Sequence, residues 1–253
     1  MKEQLYDFIG SKIRPIELAA FIKTALRIKR DVFNVMNLNW YLDPVSDFGS
    51  RLMKEKIYEP EITHQILGLL NEGDTFVDIG GNEGYFSILA SKKVGNTGKV
   101  WCVEPQKRLW QVILMNVQIN DCSNVQLLPF AASDKKEGLE IILSPSINTG
   151  SSTLIKDNRR GMWTRQSIQS TTLDSIFMSN NSPKIKLMKV DIEGYEFFAL
   201  KGAQNLLANK RIENLIIEFH PAQLQALGQS AEQLEAYLNG YGYRDINGIY
   251  RHE

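Results

Sequence analysis

"FVDIGGNEGYFS", residues 76–87, decides the fold, because an apolar strand runs into an acid, two glycines, an asparagine and a third glycine. From this point onward, short apolar runs alternate with amphipathic ones. Strand-like runs at 99–104, 184–192 and 214–219 each precede a helix-like run. The alternation predicts an α/β fold with a mostly parallel, doubly wound sheet that is covered by helices on both faces.

Two segments depart from that alternation. Residues 138–171 are strand-like and rich in Ser, Thr, Asn and Gly, which predicts an inserted hairpin or flap between the third and fourth sheet strands. Asn247 and Gly248 separate two short apolar-flanked runs, which predicts an antiparallel C-terminal hairpin at the sheet edge. Before the alternation of strands and helices begins, we expect an N-terminal helical extension over 1–70. A ligand-binding domain should follow over 71–253.

The composition is that of an ordinary globular protein, and it excludes several classes. The chain has 29 basic and 29 acidic residues, and this formal net charge of zero offers no case for nucleic-acid binding. Cys102 and Cys122 form neither a metal-ligand spacing nor a disulfide framework, so we expect a reducing, cytoplasmic setting. We find no apolar run of the roughly 18 residues that a membrane span needs, and the N-terminal residues lack the apolar region of a signal peptide, so we expect neither.

Residues 11–30 differ in character, since they hold six basic residues and one acid. After Pro15, apolar side chains recur at a helical period. Our first interpretation is a packing helix with a solvated basic face. The alternative is a basic amphipathic helix that makes peripheral contact with a membrane surface or an anionic substrate. The sequence also leaves a homo-oligomer open.

The glycine loop and the acid that follows it define the candidate ligand. Ligands of open α/β sheets bind beyond the carboxyl ends of the strands, where Gly80 and Gly84 let a ligand approach the backbone. Neither G-x-G-x-x-G nor a P-loop is present, and Asp78 opposes a pyrophosphate but suits an ammonium group. Glu104 ends the next strand, where an acid can accept both hydroxyls of a ribose. S-adenosylmethionine, a nucleoside with a cationic arm, satisfies both acids; a tight turn that binds nothing is the alternative.

Charged residues gather at two later strand ends. "KVDIEGYE", residues 189–196, places four charged side chains where the ligand crevice should open. The preference of helix starts for acids accounts for Glu196 but explains Asp191 poorly. The next strand ends in "IIEFHP", which puts Glu218 and His220 on one side. His220 is a candidate general base, because histidine titrates near neutral pH; a histidine that only caps the strand end is the alternative.

The order of six motifs resembles the FkbM family of methyltransferases. "YEPEITHQIL", "DTFVDIGGNEGYFS", "VEPQ", "AASDKK", "TTLDSI" and "KVDIEGYEFFALKGA" follow one another between about Trp40 and His220. The resemblance implies a class I methyltransferase fold, S-adenosylmethionine as donor, and transfer to a hydroxyl of a sugar, a glycan or a secondary metabolite. It also implies a set of cofactor-binding residues, namely Asp78, Gly80, Asn82, Gly84, Tyr85, Phe86, Glu104, Gln106, Ala132 and Asp191.

The expected chemistry requires a base or a metal, because an alcohol is a weak nucleophile at neutral pH. His220 or Glu193 can serve as the base, with Asp191 beside the sulfonium. A Mg²⁺ site formed by Asp191, Glu218 and His220 ranks below this metal-free scheme. The insertion should supply part of the acceptor wall, because hydroxyls and an aromatic ring suit a sugar. Its candidate residues are Ser151, Ser152, Thr153 and Trp163.

Two other classes of protein stay open. A nicotinamide-dependent sugar oxidoreductase would share the acid after the second strand, but it would want G-x-G-x-x-G and Tyr-x-x-x-Lys, and the sequence has neither. A non-catalytic module would keep every cofactor-binding residue and lack turnover. An assay for the demethylated cofactor separates both classes from a methyltransferase.

Overall fold

The computed structural model describes residues 2–13, 16–154, 163–178 and 183–252. The N-terminal extension is helical at both ends and carries a two-stranded hairpin in its middle. None of the helices in these ranges is long and apolar enough to cross a bilayer. The elements of the extension are α1 (Lys2–Asp7), α2 (Ile16–Ala25), β1 (Asp31–Val35), β2 (Leu38–Leu42), α3 (Asp47–Glu55) and α4 (Pro60–Leu69).

The hairpin of β1 and β2 was not predicted from the sequence. Its two-residue turn consists of Met36 and Asn37, which both have positive φ angles of 57° and 60°. Such turns favour Asn-Gly or Asp-Gly, so a methionine in the first position hides the signal. Trp40 on β2 is fully buried, and its indole N–H donates a hydrogen bond of 3.1 Å to the carbonyl of Val35.

The remaining strands form a central sheet and a smaller sheet beside it. Helices connect the strands of the central sheet. The strands are β3 (Thr75–Ile79), β4 (Lys99–Val103), β5 (Val125–Leu128), β6 (Ala131–Ala132), β7 (Gly138–Leu143), β8 (Thr164–Thr171), β9 (Ile185–Val190), β10 (Ile212–Ile217), β11 (Tyr243–Ile246) and β12 (Ile249–His252). The helices are α5 (Tyr85–Val94), α6 (Lys107–Ile119), α7 (Leu173–Phe177), α8 (Glu196–Lys201), α9 (Gln204–Ala208), α10 (Pro221–Ala226) and α11 (Ala231–Gly240).

The central sheet confirms the predicted fold class. Its seven strands lie in the order β5-β4-β3-β9-β10-β12-β11, and the first five of these are parallel. The last two form the predicted antiparallel hairpin at the edge, with Asn247 and Gly248 in its turn at positive φ. The order places β3 at the centre, beside both β4 and β9, so its carboxyl end is the middle of the ligand-binding edge.

Side chains of the central strands alternate between two hydrophobic clusters, one on each face of the sheet. Phe76 and Leu187 lie in one cluster, and Val77, Met188 and Leu215 lie in the other. All five are fully buried, as expected for parallel strands covered on both faces. The two layers of helices hold the carboxyl ends of β3, β4, β9 and β10 at one edge of the sheet.

The N-terminal extension packs into the same core as the sheet. Trp40 belongs to the hydrophobic cluster that contains Phe76. Two side-chain amides bind the β2 region: Asn116 on α6 accepts the backbone N–H of Tyr41 at 2.7 Å, and Asn120, directly after α6, accepts that of Asn39 at 2.9 Å. The segments predicted as 1–70 and 71–253 are therefore joined by a shared cluster and by hydrogen bonds from backbone N–H groups of β2 to side-chain amides.

The insertion after β6 contains an antiparallel pair. Strands β7 and β8 pair from Gly138 opposite Gln169 to Leu143 opposite Thr164, and β6 lies parallel to β8 on its other side. Residues 144–154 follow β7 and lead towards the edge of the central sheet. The part of the predicted flap at 155–162 lies outside the described residues.

Candidate active site

A cavity of about 350 Å³ lies at the carboxyl ends of β3, β4, β9 and β10. This volume falls in the range of sites for small molecules and cofactors. The glycine loop, the two strand ends predicted to carry acids, and the insertion all contribute to its walls. So does the N-terminal extension, whose contribution the sequence did not reveal; its lining residues are Asp47, Phe48, Arg51, Tyr58 and Glu59.

The glycine loop is tight because it packs against protein on the side away from the cavity. A Cβ atom at Gly80, where φ is 88°, would lie 1.9 Å from the carbonyl oxygen of Asp191. A Cβ atom at Gly81 would lie 2.2 Å from the Sγ atom of Cys102. Both glycines line the cavity with bare backbone. Gly84 differs, because a Cβ atom there would meet only Ile113 at 3.6 Å and the residue does not line the cavity.

Asp78 lies beneath the loop and does not line the cavity. It is fully buried, and its Oδ2 atom accepts a hydrogen bond of 2.7 Å from the Ser87 hydroxyl. Its Oδ1 atom is buried with no hydrogen-bond partner among the described residues. Burial raises the pKa of Asp78, although the nearby ammonium of Lys189 acts in the opposite direction. The structure thus places Asp78 behind the loop, so a ligand's ammonium would not contact it directly.

Glu104 directly follows β4, and its side chain lines the cavity. Its Oε2 atom accepts the backbone N–H of Asn82 at 2.9 Å, and its Oε1 atom accepts that of Gln106 at 2.8 Å. Burial raises the pKa of Glu104 to about 7, and these two hydrogen bonds act against that rise. Each carboxylate oxygen has a further lone pair, so the group can still accept two ligand hydroxyls.

The insertion closes over the loop that Glu104 holds. The Thr149 hydroxyl donates to Oδ1 of Asn82 at 2.9 Å, and the Gln106 amide donates to the carbonyl of Thr149 at 3.3 Å. The Ser152 hydroxyl donates to Oε1 of Gln106 at 3.0 Å. Asn82, Gln106 and Ala132 all line the cavity. The candidate cofactor residues at 82, 106 and 132 therefore lie together under the inserted segment.

Lys189 is a buried cation among carboxylates, and we predicted no role for it from the sequence. Its ammonium donates to Oδ2 of Asp191 at 2.8 Å and lies 4.7 Å from the ring centroid of Phe86. Burial alone would lower the pKa of Lys189, but the charges of Asp191, Asp78 and Glu59 outweigh burial and raise it. Lys189 therefore stays charged and fixes one oxygen of Asp191.

His220 stands at the centre of an acidic cluster at the ends of β9 and β10. Its Nδ1 atom is 2.9 Å from Oε1 of the fully buried Glu196. Its Nε2 atom is 3.8 Å from an oxygen of Asp191 and 3.8 Å from an oxygen of Glu193. Burial disfavours the imidazolium, but the hydrogen bond to Glu196 and the charges of the other two acids raise the pKa of His220 to about 9. We expected His220 to titrate near neutral pH, but its surroundings raise its pKa above that range.

Glu193, rather than His220, has a pKa close to neutrality. It lies at the start of the turn into α8, with a positive φ of 53°. Burial, which acts against the attraction of the His220 charge, raises the pKa of Glu193 to about 7. A carboxylate with this pKa is partly ionised at neutral pH and can accept a proton from a substrate.

The residues named for Mg²⁺ also meet. One donor atom each from Asp191, Glu218 and His220 lie within 4.8 Å of one another. Two of the three side chains already have partners, since Asp191 binds Lys189 and His220 binds Glu196. The trio could hold a divalent cation only after His220 loses its proton.

A second pocket of about 250 Å³ adjoins the main cavity. Asn148, Ser151 and Glu193 line both spaces. The second pocket is otherwise walled by hydroxyl, amide and aromatic groups that include Thr153 and Trp163. Of the predicted acceptor-wall residues, Ser152 lines the main cavity, Ser151 lines both, and Thr153 and Trp163 line the second pocket.

The sheet order, with its antiparallel hairpin at one edge, and the cavity at the strand ends define a class I methyltransferase fold. The chain belongs to the FkbM methyltransferase family: the family model described as the methyltransferase FkbM domain matches residues 78–244. This confirms the resemblance seen in the sequence. A second model, for protein-L-isoaspartate(D-aspartate) O-methyltransferase, matches residues 12–141 and ends before the acidic cluster.

Individual relatives are distant. A hexuronic acid methyltransferase, AglP, from Haloferax volcanii is 26% identical over 162 residues, which cover 64% of this chain and 62% of the relative. This chain therefore spans less than two thirds of that protein. A SAM-dependent methyltransferase structure from Aquifex aeolicus is 19% identical, with a TM-score of 0.43 over 79% of this chain and 89% of that one. The TrmK structure from M. capricolum, a complex with S-adenosyl-homocysteine, is 12% identical, with a TM-score of 0.40 over 75% and 64% of the two chains.

Proposed function

We propose that this chain transfers a methyl group from S-adenosylmethionine to a hydroxyl oxygen of a sugar, a glycan or a secondary metabolite. The observation that carries the proposal is the charge of the cavity. Seven carboxylates and three basic side chains line it, so its walls favour a cationic ligand. Pyrophosphate-containing cofactors such as nicotinamide dinucleotides are disfavoured by the same surplus of carboxylates.

The residues present fit S-adenosylmethionine at both ends of that molecule. Glu104 offers buried carboxylate oxygens to the ribose hydroxyls, as acids at the end of the second strand do in related folds. Asp191 and Glu59 line the cavity and would offer negative charge to the sulfonium and the amino-acid arm; Oε2 of Glu59 is buried without a hydrogen-bond partner among the described residues. When bound, the cofactor supplies an electrophilic methyl group on a good leaving group.

Glu193 is our candidate for the base that accepts the proton of the acceptor hydroxyl. The acceptor oxygen forms the new bond to the methyl carbon, the carbon–sulfur bond breaks, and its electron pair stays on sulfur in the product S-adenosylhomocysteine. The hydroxyl proton passes to the Glu193 carboxylate. His220, charged and 3.8 Å from Glu193, keeps that carboxylate more acidic than burial alone would allow. Alignment of the acceptor supplies the rest of the rate gain.

A sugar is the acceptor class that the second pocket supports best. Hydroxyl and amide groups can exchange hydrogen bonds with sugar hydroxyls, and the Trp163 ring offers an apolar face for a sugar ring. The relative from Haloferax volcanii, whose name states a hexuronic acid as its substrate, agrees with this class. Glu193 lines both spaces, so an acceptor in the second pocket would lie beside the base.

The proposal is tested with methyl-labelled S-adenosylmethionine and a panel of hexuronic acids, neutral hexoses and cell glycans. We expect cofactor binding by calorimetry, release of S-adenosylhomocysteine, and a labelled product that resists mild base, because an ether survives where a methyl ester releases methanol. Cofactor binding without release on any acceptor would favour a non-catalytic module. A base-labile product would place the methyl group on a carboxylate and overturn the hydroxyl assignment.

A further inference from the structure

Helix α2 buries two alanines and exposes two large apolar side chains. Ala19 and Ala20 are 0% and 4% exposed, whereas Leu18 and Phe21 are 46% and 69% exposed. A surface helix of a monomeric protein normally does the reverse, with its large apolar side chains in the core. The outward face of α2 therefore presents large apolar side chains to solvent.

The exposed large apolar side chains are concentrated in one part of the chain. Nine large hydrophobic side chains are exposed among the described residues, and all but Leu114 and Ile246 lie within the first 36 residues. Single exposed apolar residues are ordinary, but a local concentration marks a site of interaction. We call five of these side chains the N-terminal apolar surface: Leu5, Phe8, Leu18, Phe21 and Leu26.

The same segment carries positive charge. Residues 1–36 include seven basic and four acidic residues, although the whole chain is neutral. Lys12, Arg27 and Lys29 are exposed and lie close to the apolar residues along the chain. Two other basic residues are turned inwards, since Lys23 pairs with Asp43 and Arg30 pairs with Glu83. The exposed cations are thus free of those internal ion pairs and available to an external anionic partner.

We propose that the N-terminal apolar surface docks on an anionic lipid surface. Large apolar side chains enter the boundary of the acyl chains, while lysine and arginine side chains bind the head groups. A second copy of the chain would cover the apolar residues, but a two-fold contact would bring two positively charged segments together. The charge therefore favours the bilayer over self-association.

Docking there would orient the active site. Ile147, in the inserted segment between β7 and β8, packs in one hydrophobic cluster with Ile9, Ala19 and Ala20. The backbone N–H of Asp47, which lines the cavity, donates to the carbonyl of Ile147 at 2.8 Å. The N-terminal apolar surface and the inserted segment that lines the cavity are therefore packed together. Docking of this surface would hold the cavity close to the bilayer.

The test is flotation of the full chain with vesicles of phosphatidylcholine, alone or with about one third phosphatidylglycerol. We expect binding to the mixed vesicles, little binding to the neutral ones, and release when salt is raised from about 0.1 M to about 1 M. Phe21→Ser should weaken binding about tenfold or more. Leu114→Ser is the matched control, because Leu114 is 53% exposed on α6 and should leave binding unchanged.

Several outcomes would overturn the proposal. These are the absence of wild-type binding to the mixed vesicles, equal binding to both kinds of vesicle at all salt concentrations, and equal loss in Phe21→Ser and Leu114→Ser. A dimer that Phe21→Ser dissociates, with no vesicle binding, would assign the surface to a second copy instead. Melting temperature and S-adenosylmethionine affinity report whether each variant is folded. None of these measurements uses an acceptor, so the result does not depend on the proposed acceptor.

Discussion

The two sides of the cavity are built on different principles. On the side of Glu104, each carboxylate oxygen accepts a backbone N–H, and the loop glycines pack against neighbouring strands. On the side of His220, three carboxylates surround one imidazole through contacts between charged side chains, although Glu196 also accepts the backbone N–H of Gly194. The first side is a fixed mould for a ligand, whereas the second is a set of coupled charges whose protonation can change. The proposed transfer to a hydroxyl would need both, because the cofactor has one shape while a hydroxyl acceptor must lose a proton.

The largest effect that can break this comparison is expected at Glu193. Glu193→Gln keeps the size of the side chain and removes the proposed base, so kcat should fall about 10²–10⁴-fold. S-adenosylmethionine affinity should stay nearly unchanged. In the wild type, kcat should rise with pH through an inflection near 7, because the base works in its ionised form.

Glu196→Gln does not serve as the control here, since Glu196 binds His220 directly. Glu61→Gln, an exposed acid on α4, is the matched control, and it should leave both the rate and the pH profile unchanged. If Glu193→Gln keeps full kcat and the same inflection, the base is another group, and the two sides of the cavity do not divide the labour as described.

Two glycines in one loop offer a second contrast, because Gly80 and Gly84 both have φ of 88°. Gly80→Ala adds a Cβ atom that would lie 1.9 Å from the Asp191 carbonyl oxygen, so we expect a loss of about 2–4 kcal/mol in the free energy of unfolding. Gly84→Ala meets only Ile113 at 3.6 Å and should lose about 1 kcal/mol through its φ alone. Urea unfolding of both variants measures the difference, and equal losses would refute it.

Much of the side of Glu104 could be predicted from the sequence. The glycine loop and Glu104 are local features at the ends of successive strands, so their spacing along the chain determines their meeting in space. The positions of Asp191 and His220 at one edge follow from the same rule. Glu59 could not be found this way, because it reaches the cavity only through the packing of the N-terminal extension. The pKa of His220 was hidden too, since it depends on three carboxylates that meet only in the fold.

The third prediction sharpens the role of Glu104. Glu104→Gln removes the charge that ribose hydroxyls would bind, and a charge-assisted hydrogen bond contributes about 1.5–3 kcal/mol, or about 10- to 150-fold in affinity. Because burial raises the pKa of Glu104 to about 7, wild-type affinity should weaken as pH falls below 7. The variant should lose this pH dependence. Calorimetry at pH 6 and pH 8 tests both statements, and a variant with unchanged affinity would sink the cofactor assignment.

A smaller effect is expected from His220→Gln. The imidazolium attracts the ionised form of Glu193 and so lowers the pKa of that carboxyl. Without it, the pKa of Glu193 should rise, and the inflection of the kcat profile should move to higher pH, so that much of the lost rate returns in alkaline buffer. A loss of rate that persists across the whole pH range would make His220 itself the base.

The smallest effect is expected from removing divalent metal. Asp191, Glu218 and His220 have the right atoms for Mg²⁺, but Lys189 already binds one oxygen of Asp191. His220, with a pKa raised to about 9, carries a proton on the nitrogen that would face the ion. Dialysis against a chelator should therefore leave kcat unchanged, and added Mg²⁺ should not raise it. The opposite outcome has three parts: the chelator abolishes the rate, Mg²⁺ restores it, and Glu218→Gln makes the rate insensitive to both. This result would show that the cluster works as a metal site, and that the protonated state of His220 is only the metal-free form.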